Sequence, residues 1–264
     1  MLKKILITLG FLMVTAGLVF VSSCAFCESQ ARQDVTVEFQ GRYWVTDLDT
    51  EAKVVESNVG AKFDFKTDLG IGDEDFPEGR IIWHIGPNNK IRLGYTQVDY
   101  SGDQSISRTI EFKGQSYTSG AQVKSDLDIT YLRFGWLWQF VDLFDGGMKF
   151  GTILEAKGIL ADVSLDAPAL TIKESEEFFG VLPTVGVTLD INPVKKMNLF
   201  AEISGISAGD YGYFFDAEAG IKILPFKNLD IVGGYRMIDI EAEDDPDFFQ
   251  AQISGPFLAA TLKF

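Results

Sequence analysis

"LAATLKF" (258–264) places Leu258, Ala260, Leu262 and Phe264 on one parity and Ala259, Thr261 and Lys263 on the other. Alternation with a period of two is the signature of a β-strand with unlike faces. It continues to the last residue, where many domains carry a polar tail. The same period recurs upstream. In "VTVEFQGRYWV", Val35, Val37, Phe39, Tyr43 and Val45 oppose Glu38, Gln40, Arg42 and Trp44.

Ten such segments can be read: 35–46, 80–86, 90–100, 125–140, 147–163, 178–191, 197–205, 213–224, 229–240 and 251–264. Two further stretches, "GAKFDFKTDLG" (60–70) and "SISRTIEFKGQSYTSGAQV" (105–123), can be counted in or out, so eight or twelve strands are the alternatives. The connections alternate in length. "GPNNK" (86–90), "LFDGG" (143–147), "NPVKK" (192–196) and "PFKN" (225–228) are tight turns rich in Gly, Pro and Asn, residues that turns favour. Longer acidic or Ser/Gly-rich loops are expected between them. Short connections at one rim and long ones at the other are the layout of an up-and-down transmembrane barrel. The expected fold is therefore all-β, an antiparallel barrel of about ten strands covering residues 28–264.

The N-terminus sets a place for it. Lys3 and Lys4 precede an apolar run from Ile5 to Val21, followed by Ser22, Ser23 and Ala25. This order reads as a secretory signal over 1–27, cleaved after Ala25 or Cys27; the rival is a permanent anchor, for which about 17 residues is the short limit. "VSSC" (21–24) also resembles a lipobox, in which Cys24 would be lipidated. Cys24 and Cys27 are the only cysteines, so the folded part is expected to have neither a disulfide framework nor a thiolate metal site. No cofactor is expected.

The chain carries a net charge of -15, and loss of residues 1–27 would remove two lysines and no acid. The acids cluster in "DLDTEAKVVE", "GDEDFPE", "KESEE" and "EAEDDPD". Such a surface repels nucleic acid; solvated loops are the plain reading and divalent cations the sharper one.

Alternation alone does not separate a membrane barrel from a soluble, lipocalin-like one. Charge placement and aromatic placement do more. Arg92, Arg133, Glu155, Lys157, Glu202, Glu218, Lys222 and Arg236 all fall on the parity opposite the large apolar residues, and are expected to line the lumen. Of the aromatic residues, Trp83, Trp136, Trp138 and Phe140 lie beside tight turns, at the depth of an interfacial girdle. The closing "LAATLKF" then resembles the C-terminal assembly signal of bacterial outer-membrane β-barrel proteins. "FDFKTDLGIGDEDFPEGRI" (63–81) and "KIRLGYTQVDYSG" (90–102) are similar to segments of uncharacterised small outer-membrane proteins of Gram-negative bacteria. The resemblance implies an integral outer-membrane protein with both termini periplasmic, in contact with lipid and lipopolysaccharide and recognised by the barrel assembly machinery through its last strand. It implies no particular activity.

Three roles are open to such a chain. A narrow pore or structural and binding scaffold needs only the mixed-sign lumen, where ion pairs satisfy the charges or, if water enters, select small solutes. An adhesin or receptor would act through Tyr211, Tyr213, Phe214, Phe215, Phe248 and Phe249, which are expected in exposed loops. A lipid-modifying or proteolytic enzyme would need a histidine with Ser or Asp. The one histidine, His84, is expected in the lumen near the turn-side rim, with no Ser within two residues. The acid pair Asp126 and Asp128, and Asp64 with Lys66, leave carboxylate chemistry formally open. The chain is read as non-enzymatic.

Overall fold

Strands alternating in polarity cannot satisfy their backbone in lipid unless every edge is paired, which closure achieves. In the computed structural model, which describes residues 37–56, 59–112, 115–244 and 247–264, the chain forms a closed antiparallel barrel of ten wall strands. The proposed signal segment and the Cys24 lipobox lie outside the described residues. Chain order is β1 (Val37–Trp44), β2 (Asp47–Glu56), β3 (Val59–Asp64), a short helix α1 (Phe65–Leu69), β4 (Phe76–His84), β5 (Asn89–Ser105), β6 (Ile110–Phe112) and β7 (Gln115–Tyr117). It continues with β8 (Gln122–Leu143), β9 (Met148–Ala167), β10 (Ile172–Val194), β11 (Met197–Ser207), β12 (Gly212–Phe226), β13 (Leu229–Asp244) and β14 (Asp247–Lys263).

β1 and β2 lie end to end along β14, from Glu38 opposite Lys263 up to Lys53 opposite Phe248, and together make one wall strand. The alternation that runs to Phe264 has a partner to match: Val37 and Phe264 exchange both backbone hydrogen bonds and close the ring. Moving across paired neighbours once round the wall, from Phe264 through Val37, Ile91, Leu154 and Gly205, returns to β14 at Gln252, twelve residues higher. With about 3.3 Å per residue and about 4.8 Å between strands, that stagger tilts the strands by roughly 40°.

The four tight turns join β4–β5, β8–β9, β10–β11 and β12–β13 at one end. The opposite connections differ from expectation. Instead of long loops, the strands themselves continue: β8, β9 and β10 run for 22, 20 and 23 residues, when about ten tilted residues span a bilayer. "DLDTEAKVVE" is β2 and "KESEE" lies within β10, so these acidic runs are extended hairpin and not loop. The stretches 60–70 and 105–123 add no wall strands: among the described residues β3 pairs only with β2, and β6 only with β7.

The faces change meaning along each long strand. Near the turn end, Phe39, Leu93, Phe134, Leu154, Val185 and Leu258 point outward, between 47% and 63% exposed, while Arg42, Arg92, Arg133 and Glu155 are buried inside. A soluble protein rarely leaves so continuous an apolar outer surface, and this one encircles a charged interior. Higher up, the parity inverts. Val98, Tyr100, Val123, Leu127 and Leu165 are buried inside, whereas Asp99, Asp126 and Asp128 are exposed outside. Asp99, Asp128, Asp162 and Glu177 face one another on four successive strands and mark the level at which lipid gives way to water.

The upper lumen is filled. Asp64 caps α1 by accepting the Thr67 N–H at 2.6 Å, and Gly70 ends it at φ 70°, a conformation glycine adopts without strain. The segment then presses onto β5, where a Cβ at Gly102 would stand 2.3 Å from the Leu69 carbonyl oxygen. Asp73 pins it to β2: its carboxyl accepts the Leu48 N–H at 2.9 Å and Lys66 Nζ at 2.7 Å, and both hold it below the usual carboxylate range. Phe65, Leu69 and Ile71 from this side, and Ile106, Ile110 and Tyr117 from the β6–β7 hairpin, complete one buried apolar cluster. Among the described residues two stretches of wall have a single neighbour: Gln97–Ser105 of β5 pairs with β8 alone, and the other lies in β10. β10 pairs with β11 only from Val185 downward, so Ile172–Thr184 pairs with β9 alone. Pro183 sits on that free edge, where a missing N–H costs no ladder bond.

Candidate functional site

Below the apolar plug, the inward parity of eight wall strands brings six cations and five carboxylates to about one level. Unpaired charges cut off from water are costly, and here each finds partners across the lumen. Glu218 of β12 receives Arg80 of β4 through both guanidinium nitrogens, at 2.9 and 2.8 Å, and Arg42 of β1 at 2.9 Å. Arg236 of β13 grips Asp216 with Nε and Nη2, both at 3.0 Å, and reaches Glu78 with Nη1 at 2.6 Å. Glu78 also accepts from Arg80 Nε on its own strand. These two-pronged pairs are the strong, orientation-fixing kind.

On the other side, Arg92 bridges Glu155 at 2.9 Å and Glu202 at 2.6 Å. Arg133 adds to Glu155 at 3.1 Å, and Lys157 contacts Asp216 at 2.8 Å, Ser204 Oγ at 2.8 Å and Glu155 at 3.3 Å. Tyr131 donates to Asp216 at 3.2 Å. Aromatic faces close the remaining space: Phe257 lies 3.7 Å from the Arg42 guanidinium and Trp44 lies 5.0 Å from that of Arg236. The arrangement is a solid ionic layer about midway through the lipid-facing band.

All eight candidates of the sequence reading point inward. Arg92, Arg133, Glu155, Lys157, Glu218 and Arg236 are buried in the layer, Glu202 touches its lower edge, and Lys222 lies below it, half-buried. Sequence reasoning missed Arg42, Glu78, Arg80 and Asp216. Their signal was present: Arg42 opposes Tyr43 in parity, and "FPEGRIIWH" (76–84) sets Glu78 and Arg80 against Ile81 and Trp83.

His84 Nε2 lies 2.9 Å from Glu38 Oε1 at the turn-end mouth. Asp126 and Asp128 are exposed on the outer surface, Asp64 serves as a helix cap, and Lys66 bridges Asp47 and Asp73. Among the described residues, no group of three or more His, Cys, Asp or Glu is arranged to hold a metal ion. The aromatic loop candidates divide. Tyr211 is 61% exposed, but Phe214 is a correction: it is buried inside the barrel beneath Lys157, because its residue number falls on the inward parity of β12. Phe249 likewise packs on the plug, 6.4 Å from the Phe65 ring. Of the girdle residues, Trp83, Trp136, Trp138 and Phe140 stand on the outer surface near the turns, and the rings of Trp136 and Trp138 stack at 6.2 Å.

Comparison of the sequence with known protein families and with curated proteins gives no match. Comparison of the fold does. The outer-membrane protease OmpT from Escherichia coli aligns with a TM-score of 0.60 and 6% identity over 90% of this chain and 99% of that one. The translocator domain of the autotransporter NalP from Neisseria meningitidis aligns at 0.44 and 13% identity over 97% of each chain. The attachment invasion locus protein Ail of Yersinia pestis aligns at 0.39 and 9% identity over 88% of this chain and all of that one. At 6% identity the first shares a fold and says nothing of chemistry, and the other two, at such scores, add nothing to it. With its apolar belt outside, its charges inside and its ten strands closed, the chain has the fold of a bacterial outer-membrane β-barrel.

Proposed function

We propose that the protein is a closed, non-catalytic outer-membrane barrel, a membrane-embedded scaffold that presents its tall hairpins to the cell exterior. The observation that carries this reading is the ionic layer, in which Arg42, Arg80 and Arg236 meet Glu78, Asp216 and Glu218 across the lumen at hydrogen-bonding distance. A barrel of eight strands is just filled by its side chains, and aqueous channels belong to 16 or more. Ten strands with both an apolar plug and an ionic layer stand at the filled end. The lone histidine paired with Glu38 far from the exposed hairpins supports a role without acid–base chemistry.

Purified protein reconstituted in planar bilayers is expected to give no stepwise conductance. Discrete openings, with the layer intact, would replace the scaffold by a narrow pore whose selectivity residues are those of the layer.

The tight-turn end, where Val37 and Phe264 meet, faces the periplasm in this reading, and residues 1–27 are an export signal. Mass spectrometry of protein extracted from membranes is expected to show a chain beginning after Ala25 or Cys27. An intact N-terminal segment would replace the export signal with an anchor, and an acylated Cys24 would identify the lipobox as the site of processing.

A further inference from the structure

Beneath the ionic layer, toward the turn end, the lumen opens into a vestibule of about 70 Å³. Its walls carry more positive than negative charge: Arg42, Arg80, Lys90, Arg92 and Lys222 against Glu38, Asp190, Glu202 and Glu218. Each of those carboxylates already has a partner. Glu218 holds Arg42 and Arg80, Glu202 holds Arg92, Glu38 is bonded to His84, and Asp190 accepts from Gln139 Nε2 at 2.6 Å.

Lys90 and Lys222 are left over. Among the described residues neither ammonium has a carboxylate within 4.0 Å or a hydrogen-bond acceptor, although both line the same small vestibule. They stand on β5 and β12, on opposite sides of the lumen, with Arg92 at the vestibule floor. Arg42 and Arg92 close the vestibule on its inner side, 4% and 3% exposed. Like charges crowded into one narrow space are destabilising unless an opposite charge sits between them.

We propose that the vestibule binds a small oxyanion of the phosphate or sulfate class between the Lys90 and Lys222 ammonium groups, over the Arg92 guanidinium. Its oxygens answer the two ammonium groups in charge-assisted hydrogen bonds, and the Arg92 guanidinium adds positive charge beside them. A volume of about 70 Å³ admits a small oxyanion. The site lies on the turn side of the ionic layer, so it is filled from that mouth alone if the lumen is closed as proposed above. Anion binding and conductance are separate readouts, and failure of one leaves the other standing.

The test is calorimetric titration of the detergent-solubilised, folded barrel with inorganic phosphate in chloride buffer. Wild type is expected to take up one phosphate per chain. Lys90→Gln and Lys222→Gln are each expected to weaken binding by about tenfold or more, and Lys222→Arg to retain it. Absence of binding at millimolar phosphate, or equal binding by the Lys90→Gln/Lys222→Gln double variant, overturns the site. A second measurement needs no variant. Amine acetylation read by mass spectrometry should show phosphate protecting Lys90 and Lys222 but not the exposed turn residues Lys195 and Lys227; labelling unchanged by phosphate refutes the assignment even where a variant fails to fold.

Discussion

Glu218→Ala is expected to destabilise the folded barrel by about 3–5 kcal/mol, measured as a lowered urea midpoint in micelles or lipid vesicles. The side chain is 3% exposed and is the shared counter-ion of Arg42 and Arg80. Its removal leaves two guanidinium groups without their shared counter-ion in the narrow lumen, and the cost comes from those stranded cations more than from the lost attraction. Arg80 retains Glu78, so Arg42 is the worse placed of the two. The argument makes a second demand. Removing the cation together with its partner, as in Arg42→Met/Glu218→Met, should recover a large part of the loss, because a buried pair replaced by apolar groups of similar size is often neutral. If Glu218→Ala costs less than about 1 kcal/mol, the value typical of solvent-exposed pairs, then water reaches the layer and the closed-lumen reading falls with it.

Strand number, turn positions and the inward set that includes Arg133, Glu155 and Arg236 could be read from the sequence because all depend on period-two alternation within the lipid belt. There the rule has one sense, apolar outside and charged inside, and Leu132, Arg133 and Phe134 show it within three residues. The strand ends could not be read, and β5 shows why. From Ile91 through Tyr95 its odd positions are apolar and face lipid; at Val98 and Tyr100 the even positions are apolar, while the odd Asp99, Ser101, Asp103 and Ser105 are polar. The strand is continuous, but the pattern inverts as the outer surroundings change from lipid to water and the interior from ionic layer to apolar plug. A periodicity argument with one fixed sense reads that inversion as the end of a strand. This is why 90–100, 125–140 and 178–191 stop short of Asn89–Ser105, Gln122–Leu143 and Ile172–Val194. The same inversion explains Phe214: it lies within the expected strand 213–224, and above the ionic layer an apolar residue on the inward parity is buried in the lumen, not exposed at the rim. The partners within the layer were beyond reach for a different reason: Arg80 and Glu218 are 138 positions apart, and only the stagger of the closed wall brings them to one level.

Deletion of Phe264 should lower the amount of protein in the outer membrane by about tenfold while costing the refolded barrel only about 1–2 kcal/mol, the net worth of roughly two hydrogen bonds at an edge. In the finished fold Phe264 exchanges two backbone bonds with Val37, at 3.1 and 2.9 Å, and sets its ring edge-on to Phe39 at 5.8 Å. The ring is otherwise 71% exposed. Seven further pairs, from Glu38–Lys263 to Trp44–Phe257, hold the same seam, and β2 extends it above. Closure is thus over-determined and should survive the loss of its last residue. Biogenesis is a different matter under the proposed outer-membrane reading. Until the ring is closed, β14 is a free edge whose alternating Leu258, Ala260, Leu262 and Phe264 face is the surface an assembly factor can capture by strand addition. Comparing membrane-fraction abundance with unfolding of protein refolded from inclusion bodies separates the two effects. Normal accumulation of the truncated chain would remove the address from Phe264, and a large loss of stability with normal accumulation would make it a structural keystone instead.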